Sequence, residues 1–130
     1  MKIGNMAAAL AAALVLASCA STPKEVPQDV SAEELIQRAQ EASDAYDYST
    51  AVAFYQALAE RFGADPALKA TADYEIAFIA YKKGRMAEAR AGLEELLARY
   101  ESPEGTTLPP HYRILAQNVL KSIAVWSGEK

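Results

Sequence analysis

The stretch DYSTAVAFYQAL, Asp47 to Leu58, and the stretch RMAEARAGLEEL, Arg85 to Leu96, decide how this chain folds. Laid over one another they put Ala51 on Ala89 and Tyr55 on Leu93, a shift of 38 residues, and Gly84 stands just ahead of the second stretch. In each, a small residue is followed four positions later by a large one, a spacing that puts both on one face of a helix. A unit repeated at a period of a few tens of residues signals stacked helix-turn-helix elements that bury their apolar faces against one another.

The flanks agree with that signal. Ser31 and Glu34 form an S-x-x-E capping box, which predicts a helix starting at Ala32. Leu35, Ile36, Ala39, Ala42 and Tyr46 follow at 3-4 spacing, so the helix is expected to run to about Tyr46. Asp47 caps a second helix whose apolar stripe, Ala51, Val52, Phe54, Tyr55, Leu58 and Phe62, ends before Gly63. Asp65-Pro66 announces a third, because proline in the first turn forfeits no intrahelical bond; Leu68, Ala72, Ile76 and Ile79 face its core, and it stops near Gly84. A fourth spans about Met86 to Tyr100 on Ala89, Leu93, Leu96 and Leu97. Turn formers fill Glu101 to Leu108, and Pro109-Pro110 opens a fifth with Ile114, Leu115, Leu120, Ile123 and Trp126, stopping at Gly128. Nothing alternates with period two. The expected fold is all-α over residues 31–127: two helix hairpins and a C-terminal helix.

Composition narrows function. The chain of 130 residues has 13 basic and 17 acidic side chains, one His and one Cys, with a formal charge of -4. Electrostatic attraction to nucleic acid is not expected from such a balance, and one Cys forms no internal disulfide. The sequence has no glycine-rich phosphate loop, no zinc-ligand spacing and no serine-nucleophile motif. His111, just after two prolines, reads as a solvated helix-start residue, and the carboxylates fall at caps and outward faces. No catalytic residue, metal, cofactor or small-molecule substrate is expected.

The N-terminus carries an export signal. Lys2 precedes the 12-residue apolar run Met6–Ala17; a stable transmembrane helix needs about 20 such residues, a secretory core about 7 to 15. Leu16-Ala17-Ser18-Cys19 resembles the lipobox of bacterial lipoproteins, in which the chain is cut before the Cys and the thiol is acylated. The resemblance implies a signal peptide over 1–18, lipidation of Cys19 and attachment to a membrane through that lipid. With Ala20 rather than Asp after the Cys, it implies the outer membrane, facing the periplasm. An ordinary Ala-rich signal peptide cut near a Cys is the competing reading. Residues 19–30, with Pro23 and Pro27, read as an extended tether. Residues 20–30 reach roughly 36 Å at about 3.3 Å each.

The paired stretches resemble the tetratricopeptide repeat, whose turn reads Gly-Asp-Tyr-x-x-Ala with a large residue four positions on. Ala51 and Ala89 match the small residue, Tyr55 and Leu93 the large one, Gly84 the turn glycine, and Ala39 and Ala77 the small position of the first helix. The period is 38 rather than the family's 34, the extra residues lying around Phe62 to Ala67, and no Trp begins either unit. Such longer repeats are similar to those of envelope proteins in outer-membrane barrel assembly or cell-division coordination. The resemblance implies a concave groove lined by Glu33, Ile36, Gln40, Ser43 and Asp44 of the first unit and Thr71, Tyr74, Phe78, Tyr81 and Lys82 of the second. It would receive a segment of an envelope protein. Helix five is a third half-repeat or a polar-faced cap. If that helix covers Tyr74, Phe78 and Tyr81, they are core instead. A structural, self-associating envelope lipoprotein is the alternative function, and a generic helical bundle the alternative fold.

Overall fold

Local capping chemistry starts each helix where the side chains allow it. The structure, a computed structural model, describes residues 23–128 and contains α1 (Ala32–Asp44), α2 (Tyr48–Phe62), α3 (Pro66–Lys82), α4 (Met86–Tyr100), a short 3-10 helix (Pro103–Thr107) and α5 (Pro110–Trp126). The expected signal peptide and Cys19 lie outside the described residues. Ser31 Oγ accepts from the Glu34 N–H at 3.2 Å. The Glu34 carboxylate turns to Arg38 instead of back to Ser31, so only half of the capping box forms. Asp47 Oδ1 accepts from the Thr50 N–H at 3.2 Å and Asp65 Oδ1 from that of Ala67 at 2.9 Å. No strand occurs among the described residues. α1 packs on α2 and α3 on α4 as hairpins, α2 joins the two pairs by packing on α3, and α5 lies mainly on α4.

The two hairpin turns are the same structure twice. After α1, Tyr46 N–H donates to Ser43 O at 3.0 Å and Asp47 N–H to Ala42 O at 2.8 Å; after α3, Gly84 N–H donates to Tyr81 O at 2.9 Å and Arg85 N–H to Ala80 O at 2.9 Å. Each is a Schellman closure. The next residue has the same backbone in both, φ -82 ψ 69 at Asp47 and φ -84 ψ 69 at Arg85. The closure requires a left-handed residue, which is Gly84 (φ 76) in the second turn and Tyr46 (φ 60) in the first. Tyr46 therefore does not extend the apolar face of α1, as its spacing predicts: α1 ends at Asp44, and the Tyr46 ring is 79% exposed. A left-handed non-glycine residue costs about 1–2 kcal/mol, partly offset by the extra freedom glycine has when unfolded. Tyr46→Gly is expected to raise stability by roughly 0.5 kcal/mol, read as a higher urea midpoint with an unchanged slope.

Two apolar clusters run through the molecule, and α3 belongs to both. Leu35, Ala39, Ala51, Tyr55 and Leu58 of the first hairpin meet Ala72 and Ile79; Ala70, Tyr74, Ala77 and Ala80 meet Ala89, Leu93 and Leu96 of α4, then Ala116, Val119 and Ile123 of α5. The small residues matched by the repeat are buried in both units: Ala39 with Ala77, and Ala51 with Ala89. Gly92 sits so close to Ala77 that a Cβ there would stand 3.0 Å from the Ala77 Cβ.

Two expectations are corrected here. α5 turns Ala116, Val119 and Ile123 inward, whereas Ile114 and Trp126 are 60% and 78% exposed and Leu115 also faces out. Apolar residues occur on several sides of this helix, so periodicity alone could not choose its buried side; its outer face mixes them with the exposed Arg113, Gln117, Asn118, Lys121 and Ser122. The second concerns the tether. Lys24 N–H donates to Thr50 Oγ1 at 3.0 Å, Arg61 Nη1 donates to Pro27 O at 2.6 Å, and Val26 and Val30 pack on the first cluster. Residues 24–30 thus bend at Gln28 and Asp29 and are strapped along the first hairpin. The bond from Lys24 also satisfies Thr50, the buried polar residue of the core.

Candidate partner-binding groove

At 100° per residue, α3 carries two overlapping stripes. Tyr74 and Tyr81 lie on one, and Thr71, Glu75, Phe78 and Lys82 on the adjoining one. The Tyr74 and Phe78 rings stack with centroids 5.7 Å apart, and Phe78 and Tyr81 at 6.0 Å. Tyr112 of α5 closes the ladder at 5.0 Å from Tyr74, while the Thr71 hydroxyl donates to the Ala67 carbonyl of its own helix at 3.0 Å. Tyr74 is consequently core, 5% exposed, rather than a groove contact. Phe78 and Tyr81 are half-buried against the second cluster.

The other expected groove residues divide as well. Ile36 is half-buried on the first cluster and serves packing, whereas Gln40 and Asp44 are exposed on α1, as is Glu33. Lys82 joins the two units: its Nζ donates to Ser43 Oγ at 2.8 Å and lies 5.0 Å from the Tyr48 ring centroid and 5.1 Å from that of Phe78. Cation–π placement of this kind holds a long side chain in one orientation.

Glu75 and Tyr112 are the groove residues the sequence reading missed. Glu75 is half-buried beside Tyr55 and Tyr112, and no hydrogen bond to its carboxylate occurs among the described residues. Burial pushes its pKa above the ordinary carboxylate range, with the Lys82 charge opposing. Burial likewise raises the Tyr74 hydroxyl to about 12, with the Glu75 charge adding to it. The signal was present, since Glu75 lies four residues after Thr71 and three before Phe78, but the aromatic spacing drew the stripe one step around the helix.

A raised folded-state pKa means the ionised form disfavours folding. That group's contribution is fully favourable below the unfolded carboxylate pKa of about 4.3 and is lost as pH rises through the folded value. Glu75→Gln is therefore expected to stabilise the protein near neutral pH, by under about 1 kcal/mol, since the Lys82 charge offsets part of the cost of burial. The difference from wild type should disappear in acid. A destabilised variant at neutral pH would mean that the carboxylate has a favourable partner.

No group of His, Cys, Asp and Glu suited to a metal occurs among the described residues. None of their helices is long and apolar enough to cross a membrane. The fold and the groove together define a class: an all-helical protein of adjacent helix hairpins, compatible with a helical-repeat protein. The chain is 35% identical over 106 residues, 80% of its length, to a Treponema pallidum (strain Nichols) protein described only as "Uncharacterized protein". It spans 42% of that relative. No family model matches the chain. No solved structure matches it.

Proposed function

We propose that this chain is a lipid-anchored interaction module of the bacterial envelope, of the tetratricopeptide-repeat type, that receives a segment of another envelope protein in the groove between α1 and α3. The observation that carries the reading is the recurrence of one turn geometry at a 38-residue shift, Tyr46–Asp47 and Gly84–Arg85, with buried alanines at matching positions. Stacked hairpins of this kind leave their first helices side by side as a concave surface. The half-buried aromatic residues there, Phe78 and Tyr81, offer contact area at little entropic cost.

The anchor would be the lipid on Cys19, placed in the outer membrane with the domain facing the periplasm. With residues 24–30 strapped to the first hairpin, four residues separate Cys19 from Lys24. They reach roughly 13 Å. The domain is then held close to the lipid surface with Thr50 and the α1–α2 turn nearest the anchor.

Photo-crosslinking in the native membrane tests the module. A crosslinking residue at Lys82 is expected to yield a partner that the same residue at the outward-facing Glu95 does not. Adducts shared by both positions, or absent from both, would overturn the groove. Cys19→Ala is expected to move the protein from the membrane to the soluble periplasmic fraction, and a variant that stays membrane-bound would refute the lipid anchor. A second reading, self-association, is favoured by the outer face of α5, where Ile114, Val125 and Trp126 are 60%, 79% and 78% exposed. It predicts self-crosslinks and a sedimentation coefficient that rises with concentration.

A further inference from the structure

The two hairpin turns stand at one end of the molecule. Lys82 Nζ donates to Ser43 Oγ at 2.8 Å, which sets the end of α3 beside the end of α1. α5 reaches the same end by its own route. Arg113 pairs with Glu101, and the Tyr100 hydroxyl donates to the Pro109 carbonyl, so α5 starts where α4 stops and runs back along it. Helices of equal rise keep step, and counting back from the Arg113–Glu101 pair sets Trp126 level with the first turn of α4. Five large apolar side chains are exposed among the described residues, and the three most exposed, Tyr46, Val125 and Trp126, all stand at this end.

The tether meets the domain at this end too. Lys24 N–H donates to Thr50 Oγ1 in the first turn of α2, so the chain leading from Cys19 arrives beside the α1–α2 turn. Tyr46 stands there at a cost, since it holds a left-handed backbone where the matching turn has Gly84, while its exposed ring meets the Tyr48 ring edge-on at 6.1 Å. Strained residues of this kind persist where a function uses the side chain. The exposed cations Lys24, Lys83 and Arg85 stand here with Asp44 and Glu88, so the end lacks the block of like charge that draws a protein to anionic lipid. Exposed Trp and Tyr among charges of both signs match the headgroup layer of a bilayer, where one part of the ring is in apolar surroundings and the polar edge is wet.

We propose that this end of the domain lies on the membrane surface, with Trp126, Val125 and Tyr46 seated at headgroup level. This rests on the reading of Cys19 as the lipid anchor. It adds a second contact, which fixes the orientation that a lipid on a tether leaves free. The helices then meet the bilayer by their ends, so the groove between α1 and α3 opens sideways to the periplasm rather than down onto lipid. The near balance of charge makes the contact insensitive to salt, which screens exposed charges and not apolar seating.

Trp126 is the single Trp of the chain, so intrinsic fluorescence reads the contact directly. The test places the chain carrying its lipid in vesicles of phosphatidylethanolamine and phosphatidylglycerol, recovers the bound protein by flotation, and measures quenching by aqueous iodide and by lipids brominated close to the headgroup. Trp126 is expected to be quenched by the brominated lipid. It should also be several-fold less sensitive to iodide than a Trp at the opposite end, supplied by Thr106→Trp in a Trp126→Phe chain, Thr106 being exposed on the 3-10 helix. Tyr46→Gly, which is expected to melt no lower than wild type, should raise the iodide sensitivity of Trp126. Floating protein whose Trp126 is open to iodide and untouched by bromine would overturn the proposal and leave the anchor standing. Protection from iodide without quenching by bromine would also overturn it, and would assign the cover on Trp126 to a second copy of the chain. Protein that does not float would overturn the anchor, and the proposal with it.

Discussion

Leu93→Ala is expected to lower stability by about 3 kcal/mol, within the 2–5 kcal/mol usual for a leucine removed from a packed interior. Leu93 is fully buried in the second cluster, where it is packed with Tyr74, Ala77, Ala80, Ala89, Leu96 and Ile123. Several of these neighbours are alanines on rigid helices, so little side-chain movement is available to refill the space, which puts the effect above the lower limit. The measurement is urea unfolding followed by circular dichroism, with half-buried Leu97→Ala as a milder companion. Because α3 contributes Ala72 and Ile79 to one cluster and Ala70, Tyr74 and Ala77 to the other, the loss is expected within a single transition. A second transition, with the first hairpin surviving, would show that α3 does not couple the two units. A loss under about 1 kcal/mol would show that the cluster is looser than described.

Arg99→Ala is expected to cost about 2 kcal/mol at neutral pH, the scale of truncating one partner in a part-buried charged network. Arg99, 16% exposed at its side chain, donates to Asp73 Oδ2 at 2.9 Å, to Glu104 Oε1 at 2.8 Å and to the Pro66 carbonyl at 3.2 Å. It thereby ties the start of α3 to the end of α4 and to the 3-10 helix that leads into α5. The effect depends on pH with a definite sign. Hydrogen bonding from Arg99 lowers the Glu104 pKa, so that its contribution is present above the ordinary carboxylate range and is lost as pH falls through the folded value. The gap between wild type and Arg99→Ala should narrow in acid, below about pH 4. A gap of constant size would assign the loss to the arginine's packing instead of its ion pairs.

The repeat was legible because its signals are local. Asp47 and Asp65 cap, Gly84 closes a turn, and alanines at 51 and 89 mark close helix contacts, and each of these acts within about one turn of helix. The first turn was less legible, since Tyr46 occupies a left-handed position that its residue type does not announce. The candidate groove was legible in part. Helical spacing found the aromatic ladder, but two adjacent stripes of α3 differ by only a fraction of a turn, and which one stays open depends on what lies opposite.

By itself the sequence determined the helices, the capped starts of α1, α2 and α3, the shift of 38 residues between units and the small residues at the helix contacts, all consequences of side chains acting on their own backbone. Only the tertiary structure decided that Tyr112 covers Tyr74, that Glu75 is half-buried, that α5 turns Ile114 and Trp126 outward, and that residues 24–30 are strapped to the first hairpin. Each of those depends on contacts between segments distant in the chain. A helix with apolar residues on several sides, or an extended segment with two valines, has no local preference among surfaces. The area each surface buries selects one of them.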